Sequence, residues 1–219
     1  MRSRLTPLQQ RVLELLAPMS PRWTLTGGAA LAGFHFAHRT TRDLDLFWHG
    51  LSALPDTSRQ VERLLADAGL RVSALQRSPS FARMQASDDK EAVIVDLVAE
   101  PIPTAEPPSE QPVGATRILV DTRHEILVNK LGTLLHRREP RDLIDLQALL
   151  GAGGDLRRAL VDAARKDGGF SPLTVGWSLE SFAVDKRAAA IGLSEDQARD
   201  LDAFRRRLRD EIAALARPT

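Results

Sequence analysis

Asp43-Leu-Asp45 places two carboxylates two residues apart in a short apolar run, and that spacing carries the chemistry of this chain. In a strand, residues i and i+2 share a face, so both carboxylates converge while Leu44 and Leu46 turn to the core. Two like charges held that close are unfavourable unless a cation or a basic group sits with them. Oxygen-only ligands suit Mg²⁺ (or Mn²⁺), which shares its shell with water and phosphates. A third carboxylate, Asp96, lies in Ala92-Val-Ile-Val-Asp-Leu-Val-Ala99, a run apolar enough for a strand buried on both faces. An Asp there needs a partner. On a strand beside Asp43 and Asp45 it completes a set of three around one or two metal ions, which activate an attacking oxygen and stabilise a leaving pyrophosphate. The same residues also fit an exposed polar strand face, with Asp96 reaching solvent at its strand's end.

Upstream, Leu25-Thr26 runs into Gly27-Gly28 and then a helix-like stretch. Two glycines at a strand-to-helix turn let the backbone approach a ligand, and the N–H groups behind them suit phosphate. A tight turn with no ligand explains the pair equally well. Arg39 and Arg42 flank the approach to Asp43, and guanidinium geometry suits a triphosphate or an RNA backbone. His35 and His38 are three apart, but no further nitrogen or sulfur ligand is spaced to complete a zinc site, so they are assigned to packing. Lys130 sits three residues after Leu127 and four before Leu134, on an otherwise apolar helix face. Such a lysine either snorkels to the rim or points into a cleft. Asp142 and Asp145 share a face of the next helix, where Asp142 could pair with Lys130 or Arg138, or the face could simply be solvated.

The elements that must position these residues follow from local pattern. Strand-like runs are Trp23–Thr26, Asp43–Trp48, Arg71–Gln76, Ser80–Ala86 and Ala92–Ala99, with a short one at Arg117–Val120. The segment from Pro101 to Gly114 holds five prolines and reads as a linker or surface loop. Beyond it the patterns are helical, at about 123–137, 140–150, 155–166 and 193–215. Thr122 with Glu125, and Ser194 with Gln197, have capping-box spacing, and Gly151 is a plausible helix stop. Trp23, Trp48 and Trp177 are assigned to packing.

The G-G turn, the D-x-D strand and the later Asp together resemble the nucleotidyltransferase superfamily of DNA polymerase β. Thr26-Gly-Gly-Ala-Ala-Leu-Ala, followed by His38-Arg-Thr-Thr-Arg-Asp-Leu-Asp-Leu-Phe47, resembles its AbiEii/AbiGii toxin branch, as do the stretches at 92–98 and 124–147. The branch's R-x-x-x-K-D-x-x-D-L wording is matched by Arg137-Arg-Glu-Pro-Arg-Asp-Leu-Ile-Asp-Leu146, with Arg141 in place of the lysine. The hydroxyl residue usual near the second glycine is absent, the positions being Gly28 and Ala29, which leaves backbone N–H groups to hold a triphosphate. The resemblance implies an α/β fold with a mixed sheet flanked by helices. It implies a nucleotidyltransferase core at 1–120 and a helical region at 121–219 that completes the active-site cleft. It further implies an NTP-dependent enzyme using Mg²⁺ (or Mn²⁺) at Asp43, Asp45 and Asp96, with Lys130 facing phosphate. Thr26, Gly27, Gly28, Arg39, Arg42, Arg138 and Asp142 form the expected nucleotide-binding set. The implied role is the toxin of a toxin–antitoxin pair, with tRNA or another cellular molecule as acceptor and a separate antitoxin protein as partner.

Composition bounds these readings. The 219 residues carry 30 Lys+Arg against 29 Asp+Glu, a net charge of +1. That excludes nucleic-acid binding through whole-molecule charge, although arginine dominates the basic residues and a local patch remains open. A run at Arg205–Arg209 is balanced by nearby acids and reads as a solvated helix face. With no cysteine there is no disulfide, thiolate zinc site or cysteine nucleophile. No membrane span or secretory leader is present in the pattern, and a soluble, cytoplasmic protein is expected. Three further readings fit the residues: transfer to a small aminoglycoside-like molecule or to a protein, a non-catalytic nucleotide-binding module, and a helical interaction protein.

Overall fold

The computed structural model describes residues 3–54 and 56–216. The chain divides into two compact units, Met1–Thr122 and Arg123–Thr219.

In the first unit the chain opens with α1 (Pro7–Leu16), started by a Thr6–Gln9 capping box and a proline in the first turn. Its Leu8, Val12, Leu13 and Leu16 are buried at helical spacing. Next come β1 (Thr24–Thr26), the four-residue helix α2 (Gly27–Ala30), a π-helical turn at Leu31–His35, and β2 (Asp43–His49). Then follow α3 (Thr57–Asp67), β3 (Arg71–Arg77), β4 (Phe81–Ser87), β5 (Ala92–Glu100), β6 (Ser109–Val113) and β7 (Thr116–Val120). The strands form one sheet in the order β3-β4-β5-β2-β1-β7-β6. It is mixed: β2 pairs parallel with β5 and β1 with β7, and the other neighbours are antiparallel. β2 is the central strand. Its Leu44, Leu46 and Trp48 are buried while Asp43, Asp45 and Phe47 are half-exposed, the alternation expected from the sequence. Trp23 and Trp48 are buried and donate their indole N–H to the Leu16 and Pro21 carbonyls.

Two expectations are corrected here. The proline-rich segment is not all loop: β6 lies inside it and pairs with β7. Pro112 is tolerated because β6 is an edge strand, where a missing N–H removes no central ladder bond. Nor is β5 buried evenly on both faces, since Ile94 and Val98 are half-exposed on the face that carries Asp96.

The second unit is helical: α4 (Arg123–His136), α5 (Pro140–Gly151), α6 (Leu156–Lys166), α7 (Pro172–Glu180), α8 (Asp185–Ala188) with a 3₁₀ turn at Ala189–Ile191, and α9 (Glu195–Leu215). Asp155 caps α6, and capping boxes at Ser171–Thr174 and Ser194–Gln197 start α7 and α9. Gly151 closes α5 from inside; the left-handed residue beyond it is Gly153, at φ +88°. Leu131, Leu134, Leu143, Leu146, Val175 and Leu208 are among the core. Trp177 does not anchor packing. It is 70% exposed, four residues from the equally solvent-facing Leu173, because α7 turns Val175 and Leu179 inward instead. Arg205 departs from the solvated-face expectation: it is buried, donating to the Leu179 carbonyl and to Asp202. Among the described residues no helix is long and apolar enough to cross a membrane.

Candidate functional site

Strand register assembles the site of the first unit. Thr26 on β1 pairs with Asp45 on β2, Asp45 with Asp96 on β5, and Asp96 with Arg83 on β4. Directly paired residues share a face, so Thr26, Asp45, Asp96 and Arg83 form one row across four strands. Asp43 lies on the same face one pleat away.

Gly27 stands immediately beside this row. Its φ is +63°, a left-handed conformation in which a side chain is strained, and a Cβ there would run into the Asp45 carboxylate. The backbone therefore passes against the carboxylate only because residue 27 has no side chain. A Cβ on Gly28 would lie 2.6 Å from Arg39 Nη2, which puts the Arg39 guanidinium directly over the second glycine. Arg39 also donates to the Thr40 carbonyl at 3.0 Å. Thr26 is buried, and Arg42 is exposed at the start of β2, its carbonyl accepting from Ile94 N–H at 3.2 Å. The helix after the glycines is short, and His38 falls beyond it, so His35 and His38 do not share a helix face. His35 Nε2 instead lies 2.8 Å from the carbonyl oxygen of Asp121.

Asp96 is almost fully buried and bound by a fork. Arg83 Nε donates to its Oδ1 at 2.7 Å and Nη2 to its Oδ2 at 2.6 Å. The hydrogen bond to Asp96 raises the Arg83 pKa above its usual value, and Asp43 and Asp45 add to it through space. Arg83 thus senses all three carboxylates. The all-oxygen donor set has the right chemistry for a hard divalent cation. Among the described residues, however, no three acidic or histidine side chains stand close enough to hold one together.

In the second unit, α4 and α5 bring together a different group. Lys130 neither snorkels to the rim nor faces water. It is buried, with Nζ 2.7 Å from Asp142 Oδ1 and 2.8 Å from Asp145 Oδ2. Burial pushes the ammonium's pKa down, but Asp145 and Asp142 outweigh it and the net shift is upward. Burial likewise opposes ionisation of Asp142, and Lys130 and Arg137 more than offset it, so its pKa falls. Asp142 and Asp145 are buried, not on a solvated face. The arginine that forks onto Asp142 is Arg137, at 2.9 and 3.0 Å, rather than Arg138. Arg137 continues the last turn of α4 through its N–H to the Thr133 carbonyl, whereas Arg138 offers its carbonyl to Arg187 Nη1 at 2.7 Å.

Sequence reasoning missed Arg83. The available signal was alternation in Phe81-Ala-Arg-Met-Gln-Ala-Ser87, which puts Arg83 on the partly exposed face opposite Met84. Only the register of β4 on β5 aims it at Asp96.

Comparisons with known proteins bear on the fold and the family. Several solved structures share the fold. MenT4, a nucleotidyltransferase toxin from Mycobacterium tuberculosis H37Rv, is 18% identical with a TM-score of 0.58, over 96% of this chain and 91% of that one. JHP933 from Helicobacter pylori is 17% identical with a TM-score of 0.54, over 94% of this chain and 91% of that one. No curated protein sequence matches. Residues 11–217 match the family described as nucleotidyl transferase AbiEii toxin, type IV TA system. With nearly the whole chain inside that match, it belongs to the AbiEii nucleotidyltransferase toxin family of type IV toxin–antitoxin systems.

Proposed function

We propose that this chain transfers a nucleotidyl group from an NTP to an acceptor hydroxyl, with tRNA as the acceptor, as a toxin held in check by a separate antitoxin protein. The observation that carries the reading is the pairing of Asp45 with Asp96 across β2 and β5, with Asp43 on the same face and the Gly27–Gly28 turn packed against Asp45. Asp43 and Asp45, joined by Asp96, would hold Mg²⁺ or Mn²⁺, which when bound supplies charge neutralisation and polarises phosphate oxygens. The chain's own residues do the rest. Backbone N–H groups at Gly27 and Gly28 receive the triphosphate, beside the buried Thr26. Arg39, over Gly28, and Arg42 add positive charge for phosphate oxygens. Asp96 accepts the proton of the acceptor hydroxyl as its oxygen bonds to the α-phosphorus and pyrophosphate departs. In the second unit, Lys130 keeps the phosphate-neutralising role that the family resemblance implies, its ammonium oriented by Asp142 and Asp145, with Arg138 as a further phosphate contact. Both NTPs and tRNA place this chemistry in the cytoplasm.

The test is label transfer from each of the four α-³²P NTPs, with Mg²⁺, into total tRNA, run beside the Asp45→Asn variant. Label in tRNA with wild type alone supports the reading and names the base. Label appearing instead in protein or in a small hydroxylated molecule such as an aminoglycoside moves the acceptor but keeps the reaction. Equal label from wild type and Asp45→Asn overturns the carboxylate assignment, and no Mg²⁺-dependent NTP binding at all leaves a non-enzymatic interaction protein.

A further inference from the structure

The link between α4 and α5 is short, Arg137-Arg138-Glu139, and it is mostly arginine. It borders a pocket of 360 Å³ in the second unit, lined by Leu135, His136, Arg137, Arg138 and Glu139 together with Arg187 of α8. The guanidiniums there share a single carboxylate, and Glu139 Oε1 stands 3.6 Å from Arg187 Nη1, beyond hydrogen-bond reach. Two of the arginines are pinned by the fold. Arg137 is forked onto the buried Asp142, and Arg187 Nη1 donates to the Arg138 carbonyl at 2.7 Å. Both still keep about half of their side-chain surface in solvent, 55% and 52%. The Arg138 guanidinium is exposed and has no hydrogen-bond or ion-pair partner among the described residues. The start of α5 adds to the positive charge, since Glu139 gives it no side-chain cap. Asp142, the acid of that first turn, is already committed to Lys130 and Arg137.

Cations gathered this closely disfavour one another, and an anion among them relieves that. We propose that this pocket binds a backbone phosphate of the acceptor RNA, with Arg138 and Arg187 donating to its non-bridging oxygens and Arg137 adding charge from the pocket wall. The inference rests on the RNA-acceptor reading given above and needs no metal ion. A chain with a net charge of +1 exerts no general pull on a polyanion, so an RNA acceptor requires a local basic site, and this pocket supplies one. The planar guanidinium fork matches phosphate oxygens, and it stays charged at every working pH. The space is larger than a lone phosphate fills, and the half-buried Leu135 offers an apolar wall to the adjoining ribose. Contacts of this kind fix where a nucleic acid lies without reading its sequence.

The test is filter binding of end-labelled total tRNA, in metal-free buffer, as salt rises from about 50 to about 200 mM. Binding of tripolyphosphate is followed by calorimetry in the same buffer. Arg138→Gln and Arg187→Gln are each expected to weaken tRNA binding about five- to tenfold and to reduce the slope of log K against log salt by about one. Tripolyphosphate affinity is expected to stay at the wild-type value in both. Arg59→Gln, at an exposed position on α3, controls for charge alone and is expected to bind tRNA as wild type does. Wild-type affinity and slope in both pocket variants overturns the proposal, as does an equal loss in Arg59→Gln. A loss of tripolyphosphate binding without a loss of tRNA binding also overturns it, and assigns the pocket to the nucleotide. The two levels separate. If wild type neither binds tRNA nor labels it, the acceptor reading fails and this inference falls with it. If wild type does both while the pocket variants bind tRNA equally well, only the pocket assignment fails. Should Arg187→Gln not fold, Arg138→Gln decides alone, because its guanidinium has no partner among the described residues to lose.

Discussion

Asp45 and Asp96 are direct partners on parallel strands at the centre of the sheet, two carboxylates side by side on one face, with Arg83 closing one end of the row and Gly27 packed against the other. Like charges placed side by side disfavour each other, so neutralising one need not cost stability. Asp43→Asn is expected to unfold at the wild-type denaturant midpoint or slightly above it, by up to about 1 kcal/mol. On the function proposed above, nucleotidyl transfer by the same variant is expected to be lost. A large drop in midpoint would mean that this carboxylate is a structural partner, not a binding group.

Lys130 sets the opposite expectation. It is the shared partner of two buried acids, so Lys130→Met takes from Asp142 and Asp145 the ammonium that both contact. Removing one member of a buried ion pair destabilises by about 3–5 kcal/mol, and equilibrium unfolding in urea should show a loss of that size. Any activity measurement on Lys130 variants must therefore be read against their folded fraction.

The same cluster dictates a pH dependence on both sides. Asp142 has a lowered pKa in the folded chain, so its contribution is fully present above the unfolded value of about 3.9 and is lost as pH falls through the lower, folded value. Lys130 has a raised pKa, so its contribution is fully present below the unfolded value of about 10.4 and is lost as pH rises through the higher, folded one. Urea midpoints from pH 2 to 11 should stay flat for this cluster between those limits and fall outside them. Asp142→Asn should flatten the acid limb; an acid limb as steep as that of wild type would place the sensitivity in other carboxylates.

Much of this was readable from the sequence because alternation and capping are local. Asp43-Leu-Asp45 had to share a face once the run was a strand, and Ser194-Glu-Asp-Gln197 had to open α9. What could not be read were relations set by register or by tertiary packing. Arg83 is an unremarkable strand residue until β4 lies on β5, and Arg137 rather than Arg138 reaches Asp142 because of the way α4 ends. β6 was hidden by prolines that only an edge position permits. Trp177 misled because a large aromatic is normally buried, whereas here the buried face of α7 belongs to Val175 and Leu179.

That exposure is itself testable. Trp177→Ser is expected to change stability by no more than about 0.5 kcal/mol, since little apolar area is removed from a packed environment. Trp48→Ala, at a fully buried position behind the carboxylate row, is expected to lose about 3–5 kcal/mol. The pair of midpoints, measured in one urea series, checks the placement of both tryptophans, and a costly Trp177→Ser would contradict it.

Gly27→Ala tests the closest approach in the site. The substitution forces a Cβ into a left-handed backbone at φ +63° and against the Asp45 carboxylate, two penalties at one position. Strain of this kind amounts to about 1–3 kcal/mol, and a shift of that size is expected in the unfolding midpoint. The two penalties can be separated. In Gly27→Ala/Asp45→Ser the clash is relieved while the backbone strain remains, so the double variant is expected to recover part of the lost stability, and the effects are not additive. Transfer activity is expected to stay absent in the double variant, because the carboxylate is gone. Full additivity in the midpoints would show that Asp45 does not press on the glycine turn, and would remove the contact that supports the phosphate-binding role proposed for Gly27.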